Sequence, residues 1–370
     1  MTDIAVLLVA AAGGGAERAM IAVVNTLVHQ GYKVDVVLVR KKGPFLGEID
    51  PKIRVVDLGA GKVRNTLLPL NRYMKRERPK LLISALTATD PFALLGKALF
   101  GWKGSNVHIS VQNAPSASSK ASKDILARLW PRTIRHLYRF AASVNAISAG
   151  VARDVERLMG KPEGAITVIH NPVDIPRARK MAAEAPSHPW LADKTVPVLL
   201  AVGRLTLQKD VPTLLRAHAR LLATRPVRLI ILGEGEDRVA LEALVAELGT
   251  GDHVAMPGFD ANPFAAMAAA DVFVLSSRWE GFANVVAEAL ACGTKVVSTD
   301  CPSGPAEILE DGRYGRLVPI QDVDALATAM GEAIDAPVDR DALRARADDF
   351  ALEGIARQYR EYFQQRGLIA

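Results

Sequence analysis

Residues 272–293 read VFVLSSRWEGFANVVAEALACG. Val272 to Ser276 is a short apolar run of strand length, and a helical stretch follows from about Ala283, so the residues between form a strand-to-helix turn. A helix opening there aims its first backbone N–H groups and the positive end of its dipole at the loop, which makes an anion site. Glu280 stands just before the helix and Glu288 a turn or so into it. Two carboxylates therefore flank the anion position, where they can accept hydrogen bonds from hydroxyl groups. Each glutamate alone also fits the plainer role of an acid complementing the helix dipole. Gly281, Phe282 and the location after a strand make the combination more specific than either acid.

Ligands of an open parallel sheet bind at the carboxyl ends of its strands, so the neighbouring strand exits matter equally. The run Val198 to Val202 leaves into Gly203, Arg204 and on to Lys209 and Asp210. Gly203 permits a sharp turn, and Arg204 with Lys209 can converge on one anion, a forked donor plus a point charge that suits a diphosphate. The alternative is a pair of solvated loop charges. The run Lys295 to Ser298 leaves into Asp300-Cys301-Pro302-Ser303-Gly304-Pro305-Ala306-Glu307-Ile308.

β-branched runs alternate with longer helical stretches along the whole chain. Ile4 to Ala10 precedes a helical Glu17 to His29; Val34 to Val39 follows; Leu81 to Ser84 precedes Pro91 to Phe100; then comes Val107 to Val111. The second half repeats the scheme with Val198 to Val202, Arg228 to Leu232, Val272 to Ser276 and Lys295 to Ser298. This is the pattern of βαβ units and parallel sheets covered on both faces. The expected fold class is α/β, with two Rossmann-like, doubly wound halves facing across a cleft. The expected division is 1–175, 176–349 and a C-terminal segment 350–370 that packs back on the first domain. Asn171 to Pro197, rich in Pro and Ala, has the composition of a linker and a helix that joins domains rather than of a continuing sheet. Phe350, Leu352, Ile355, Tyr359 and Phe363 fall on one face of an amphipathic terminal helix.

At 370 residues the chain is long enough for about two domains, and 49% apolar with 23% charged residues is the balance of a globular protein. A net charge of +6 suits a partner bearing phosphates without choosing among nucleic acid, anionic lipid and a pyrophosphate substrate. Cys292 and Cys301 make neither a disulfide framework nor a zinc site, and a reducing cytoplasm is the expected compartment. The start of the chain does not have the form of a secretory signal, and the apolar stretch Pro91 to Trp102, interrupted by Lys97, is too short to span a bilayer.

Three motifs in this order resemble one family. Glu280-Gly281-Phe282 through Glu288 is similar to the Glu-x7-Glu motif of retaining GT-B glycosyltransferases, family 4 (glycosyl transferases group 1) in particular. Gly203-Arg204 with Lys209 looks like that family's diphosphate clamp, and residues 303–308 like its Gly-Pro-x-Glu-Ile loop. The loop Gly13 to Arg18, the Ile147-Ser148 strand end and the His170 to Asp174 junction extend the resemblance over nearly the whole chain.

The resemblance implies transfer of a hexose or N-acetylhexosamine from a nucleotide-diphosphate sugar, UDP-sugar first and GDP-mannose next, to a surface-glycan or lipid-linked acceptor. It implies retention of configuration and no cofactor or metal. Arg204 and Lys209 would hold the diphosphate, Glu280 the transferred sugar and Glu288 the ribose; these first three are the catalytic candidates. Gly281, Phe282, Ala283, Asn284 and Val285 would contact the sugar or phosphate through their backbone, and Gly233 and the segment from Met256 to Phe259 would lie by the base. A nucleotide-sugar epimerase on the same double fold is the alternative. A nucleic-acid-binding protein is disfavoured by 5% aromatic residues and the lack of a reading module.

The glycines at 13–15 do not make a dinucleotide fingerprint, because Arg18 stands where a third glycine is needed and Val39-Arg40 where an acid is. Gly14 and Gly15 are instead expected to let the backbone approach the donor or acceptor. Members of the family place a histidine near the reacting carbon; here Val107 to Val111 exits into Gln112 and Asn113. Asn113 either hydrogen-bonds the sugar or starts the turn before Pro115, and His108 is expected to pack. Asp322 and Asp339 precede helical stretches as N-caps rather than metal ligands. Lys75, Arg76, Arg78 and Lys80, with Lys103, Lys120, Lys123, Arg128, Arg132, Arg135 and Arg139, gather in the first half among Trp102, Leu126, Leu129, Trp130 and Leu137. They form either a solvated surface or a seat on the anionic inner face of a membrane.

Overall fold

A computed structural model describes residues 2–12, 14–121 and 125–370. Gly13, Lys123 and the side chain of Leu126 lie outside the described residues.

Thirteen strands are present among them: β1 (Ile4–Leu8), β2 (Val34–Leu38), β3 (Arg54–Asp57), β4 (Leu81–Ser84), β5 (Asn106–Val111), β6 (Ser143–Ala146), β7 (Thr167–Val168), β8 (Val198–Val202), β9 (Arg228–Leu232), β10 (Val254–Gly258), β11 (Val272–Leu275), β12 (Lys295–Thr299) and β13 (Arg316–Val318). They form two sheets, β3-β2-β1-β4-β5-β6-β7 and β10-β9-β8-β11-β12-β13. Every ladder is parallel. Central strands such as β1, β4 and β11 are buried throughout, which is why their sequences are continuous apolar runs rather than alternating ones. Each sheet winds outward in both directions from an inner pair, so strand order reverses between β1 and β4 in one and between β8 and β11 in the other. Loops diverge at such a point and leave a crevice at the carboxyl edge. The two Rossmann-like sheets make this an α/β protein.

The chain divides into two compact units, residues 1–172 with 352–370, and residues 173–351. The second begins at Val173, whose N–H donates to Phe350 O at 2.8 Å and which bridges Ala351. Residues 173–197 contain the helix expected between the domains, but they are packed into the second unit rather than forming a free linker. Helices Ile175–Ala182 and Pro189–Ala192 are built into the second unit, where Asn262 Nδ2 donates to Met181 O at 3.0 Å and Ala178 is fully buried. Alanine and proline there fill a close helix contact, a use that composition cannot tell from a flexible connection.

The helix Leu352–Gln365 belongs to the first unit and packs on the helix Gly15–His29. Its Ile355, Tyr359, Tyr362 and Phe363 complete the core built by β1, β2 and β4. His108 is fully buried beneath it, with Nδ1 2.8 Å from Ser143 Oγ, Nε2 2.9 Å from Asn145 Oδ1, and its ring edge-on to Phe363 at 4.9 Å. It packs, as its place in the strand suggested. A separate core of β8, β9, β11 and their helices fills the second unit. No helix among the described residues is long and apolar enough to cross a membrane.

Candidate functional site

The reversal point of the second sheet gathers the three motif loops. After β8, Gly203 N–H donates to Leu232 O at 3.0 Å and Leu205 N–H to Glu234 O at 2.9 Å, so this loop lies backbone to backbone on the loop after β9. Gly233, at φ 141°, has no room for a side chain: a Cβ there would sit 2.0 Å from Gly203 O.

Lys209 turns inward from the same loop and its Nζ lies 2.6 Å from Glu280 Oε1. Glu280 is only 6% exposed, and the same oxygen accepts a hydrogen bond from Ser277 Oγ at 2.7 Å. A carboxylate this deep is tolerable because it has both an ammonium and a hydroxyl partner. Arg204 is exposed and makes no hydrogen bond or ion pair among the described residues. The structure thus brings Lys209 to Glu280 and leaves Arg204 at the surface of the loop, rather than showing two cations already converged.

The β8 and β11 loops are laced together. Ser276 Oγ donates to Lys209 O at 2.7 Å, Arg278 N–H to Gln208 O at 2.8 Å, and Gln208 Nε2 to Trp279 O at 3.0 Å. Arg278 pairs at 2.8 Å with Asp210, a carboxylate whose side chain is wholly buried and which also accepts from Thr213 Oγ1 at 2.9 Å. These lacing residues were not singled out from sequence. The signal for Asp210 and Arg278 is their place in the two strand-exit loops, next to Lys209 and two residues before Glu280, since their pairing spans 68 positions.

The helix opens one residue later than expected, at Asn284, with Ala283 as its N-cap in the left-handed region at φ 68°. Gly281, Phe282 and Ala283 are buried, Asn284 and Val285 half-buried, and Glu288 half-buried in the second turn. The third loop leans on this turn: Gly304, at φ 94°, approaches so closely that a Cβ would lie 2.2 Å from Phe282 O. Arg346 fixes that loop from behind, donating to Glu307 O at 2.7 Å and Ile308 O at 2.9 Å, and stacks over Phe350, which meets Phe282 edge-on at 5.2 Å. Burial, with Glu280 adding to it, pushes the Cys301 thiol up to about 12, so it is no nucleophile at neutral pH.

The remaining candidates fall elsewhere. Met256 is half-buried with its side chain against the second core, while its carbonyl accepts from Arg238 Nη1 at 3.2 Å. Gly14 is the extended N-cap of Gly15–His29 in the first unit, and Gly15 its first residue. Asn113 is half-buried at the bend between β5 and the helix Pro115–Ala121, without a side-chain hydrogen bond among the described residues. Asp322 and Asp339 cap their helices, accepting from Ala325 N–H and Ala342 N–H at 2.9 Å each. No cluster of His, Cys, Asp and Glu among the described residues is placed to hold a metal.

The sequence and the fold match known proteins. The model of Glycosyltransferase Family 4 matches residues 13–177 and that of Glycosyl transferases group 1 residues 184–350. The lipopolysaccharide core biosynthesis glycosyltransferase LpsE of Rhizobium meliloti is 31% identical over 327 residues, 87% of this chain and 86% of that one. The chain belongs to the group 1, family 4 glycosyltransferases. This glycosyltransferase is also 38% identical over 159 residues to the N-acetylgalactosamine-N,N'-diacetylbacillosaminyl-diphospho-undecaprenol 4-alpha-N-acetylgalactosaminyltransferase of Campylobacter jejuni. That match spans 43% of the present chain and 41% of the relative's length. Among solved structures, HepE of Anabaena in complex with UDP-glucose superposes with a TM-score of 0.83 at 20% identity, covering 99% of this chain and all of that one. At that identity the likeness speaks for the GT-B fold alone. The epimerase alternative gains no support from these comparisons.

Proposed function

We propose that the enzyme transfers a hexose or N-acetylhexosamine, with retention of configuration, from a nucleotide-diphosphate sugar to a surface-glycan or lipid-linked oligosaccharide acceptor. The observation that carries this reading is the Lys209–Glu280 pair at 2.6 Å, at the reversal point of the second sheet and beside the start of the helix Asn284–Ala291.

In this scheme the bond between the anomeric carbon and the diphosphate oxygen breaks while the acceptor oxygen bonds to the same face. The acceptor's proton passes to the departing phosphate oxygen. Negative charge grows on the diphosphate, so preorganised positive charge is the protein's main contribution. Lys209 supplies a fixed ammonium, Arg204 a swinging guanidinium, and the helix end its dipole. Glu280 keeps Lys209 in place before the donor arrives and then takes hydroxyl hydrogen bonds from the sugar; Glu288 does the same for the ribose. The scheme uses no metal or cofactor. We favour a UDP-sugar over GDP-mannose as donor, and the activities named for LpsE and for the Campylobacter enzyme support a lipopolysaccharide or diphospho-lipid acceptor.

A thermal-shift series with UDP-, GDP- and ADP-sugars is expected to single out UDP, because a bound ligand raises apparent stability with the logarithm of its concentration over Kd. Lys209→Ala and Glu280→Ala are each expected to lower kcat by about a hundredfold or more, the size of losing one preorganised charge. Transfer at the parental rate in both variants would overturn the assignment.

A further inference from the structure

The two units carry opposite charge. Residues 1–172 with 352–370 hold 28 Lys and Arg against 14 Asp and Glu, whereas residues 173–351 hold 18 against 26. The net values, +14 and −8, are hidden in the modest total of +6. Segregation of this size concerns partners and orientation rather than folding.

Three adjoining helices of the first unit carry seven of its cations, Arg72, Lys75, Arg76, Lys97, Arg128, Arg132 and Arg135, against two acids. Asp90–Phe100 packs against Leu67–Glu77 on one side and Ile125–Leu137 on the other. On Ile125–Leu137, the exposed residues Ile125, Arg128, Leu129, Arg132 and Arg135 recur at helical spacing, while Trp130 and Ile134 face the core. On Leu67–Glu77, Leu68, Arg72, Lys75 and Arg76 form the equivalent stripe over buried Leu70, Tyr73 and Met74. Both stripes begin with an apolar side chain and continue with cations. Ile125 is 70% exposed, Leu68 61%, and Leu99, on the helix between them, 65%.

Acids that would neutralise this face are spoken for. Among the described residues of the three helices they are Glu77, paired with Arg54 and Arg76, and Asp90, which is buried. Exposed aliphatic side chains amid cations on adjoining helices have the make-up of an interfacial membrane-binding surface. Nucleic acid would use the cations but has little use for the leucines and isoleucine, since single-strand binding depends on stacked aromatic rings.

We propose that the helices Leu67–Glu77, Asp90–Phe100 and Ile125–Leu137 dock this enzyme on an anionic lipid bilayer, with Arg72, Arg128, Arg132 and Arg135 over the headgroups and Leu68, Ile125 and Leu129 dipping among them. The acidic second unit is repelled by the same surface, so adsorption goes through the first. This inference makes no use of the donor-site reading.

The test is cosedimentation of the full chain, without sugar nucleotide, with vesicles of phosphatidylcholine alone or mixed with phosphatidylglycerol. Binding is expected to the mixed vesicles only and to weaken as salt rises. Each cation near such a surface contributes about fivefold in partitioning, so the triple variant R128Q/R132Q/R135Q should bind roughly a hundredfold more weakly. The triple Arg→Lys variant at the same positions should retain binding, which separates lost charge from lost structure. Neutralising Arg216, Arg313 and Arg316 of the second unit should change nothing. Undiminished binding by R128Q/R132Q/R135Q, equal binding to neutral vesicles, or preference for duplex DNA at equal phosphate concentration would each overturn the proposal.

Discussion

Glycine does its work in this enzyme at a few positions where one backbone rests on another. Gly304 is the sharpest case, with φ at 94° and Phe282 O where a Cβ would be. An alanine there must both adopt a backbone region that L-residues avoid and push the third loop off the turn that precedes Asn284. Gly304→Ala is expected to destabilise the second unit by about 1–3 kcal/mol. Gly354 provides the contrast: it lies in the helix Leu352–Gln365 with open space around it, so Gly354→Ala should stabilise by about 0.5–1 kcal/mol. Urea midpoints of the two variants, shifted in opposite directions, are the check; equal shifts would mean that the close approach at Gly304 is unimportant.

At the scale of elements, the site depends on two loops acting as one. The β8 loop supplies Lys209 and the β11 loop Glu280, and they are joined by five backbone or side-chain hydrogen bonds and by the pair of buried Asp210 with Arg278. Asp210 adds a local constraint, since it holds a left-handed backbone at φ 47°. Removing Arg278 strands a buried carboxylate, which in general costs about 3–5 kcal/mol. Arg278→Ala should therefore destabilise the second unit by about 3 kcal/mol and weaken donor binding, although on our scheme Arg278 touches no part of the donor. Asp210→Asn keeps a residue type that tolerates this backbone and removes the charge, so the double variant should be more stable than Arg278→Ala alone. A double-mutant cycle on urea stability measures that coupling, and strict additivity would show that the pair does not lace the loops.

For the whole molecule, the two units should answer pH in opposite ways. Burial lowers His218, in the second unit, to about 4 from an ordinary 6.5. Above pH 6.5 it is neutral folded or unfolded; below, the unfolded chain takes a proton that the folded one refuses, so stability falls on acidification. His188 shifts in the same direction. In the first unit, burial lowers His108 to about 3 and raises Asp90 to about 8 from 3.8. Between the unfolded values of 3.8 and 6.5 these two oppose each other. From pH 6.5 to 8 Asp90 acts alone, keeping a proton that the unfolded chain has released, so stability falls as pH rises. Each group is worth about 1.4 kcal/mol per pH unit inside its window. Urea unfolding, followed with tryptophan kept only at 102 and 130 or only at 190 and 279, should show the first unit weakening from pH 6.5 to 8 and the second from 6.5 to 5. Asp90→Asn should abolish the alkaline loss, and its persistence would point to another group.

Sequence alone determined what depends on local pattern. Continuous apolar runs announced the central strands, so β4, β8 and β9 have the ends read for them, and the two-sheet α/β class followed. Asp322 and Asp339 were legible as caps because a cap bonds three residues along the chain. The edge strands β3 and β13, short and partly exposed, carry little apolar signal and did not show. Tertiary structure decided what depends on contacts far apart in sequence. It turned Lys209 toward Glu280 across 71 positions, joined Asp210 to Arg278, and made Pro- and Ala-rich residues 173–197 part of the second packed unit. It also sorted a near-balanced charge into +14 and −8. The reason is physical: helix and strand periods and caps are set within a few residues, whereas an ion pair or a charged face exists only once the sheet order has brought distant loops and helices side by side.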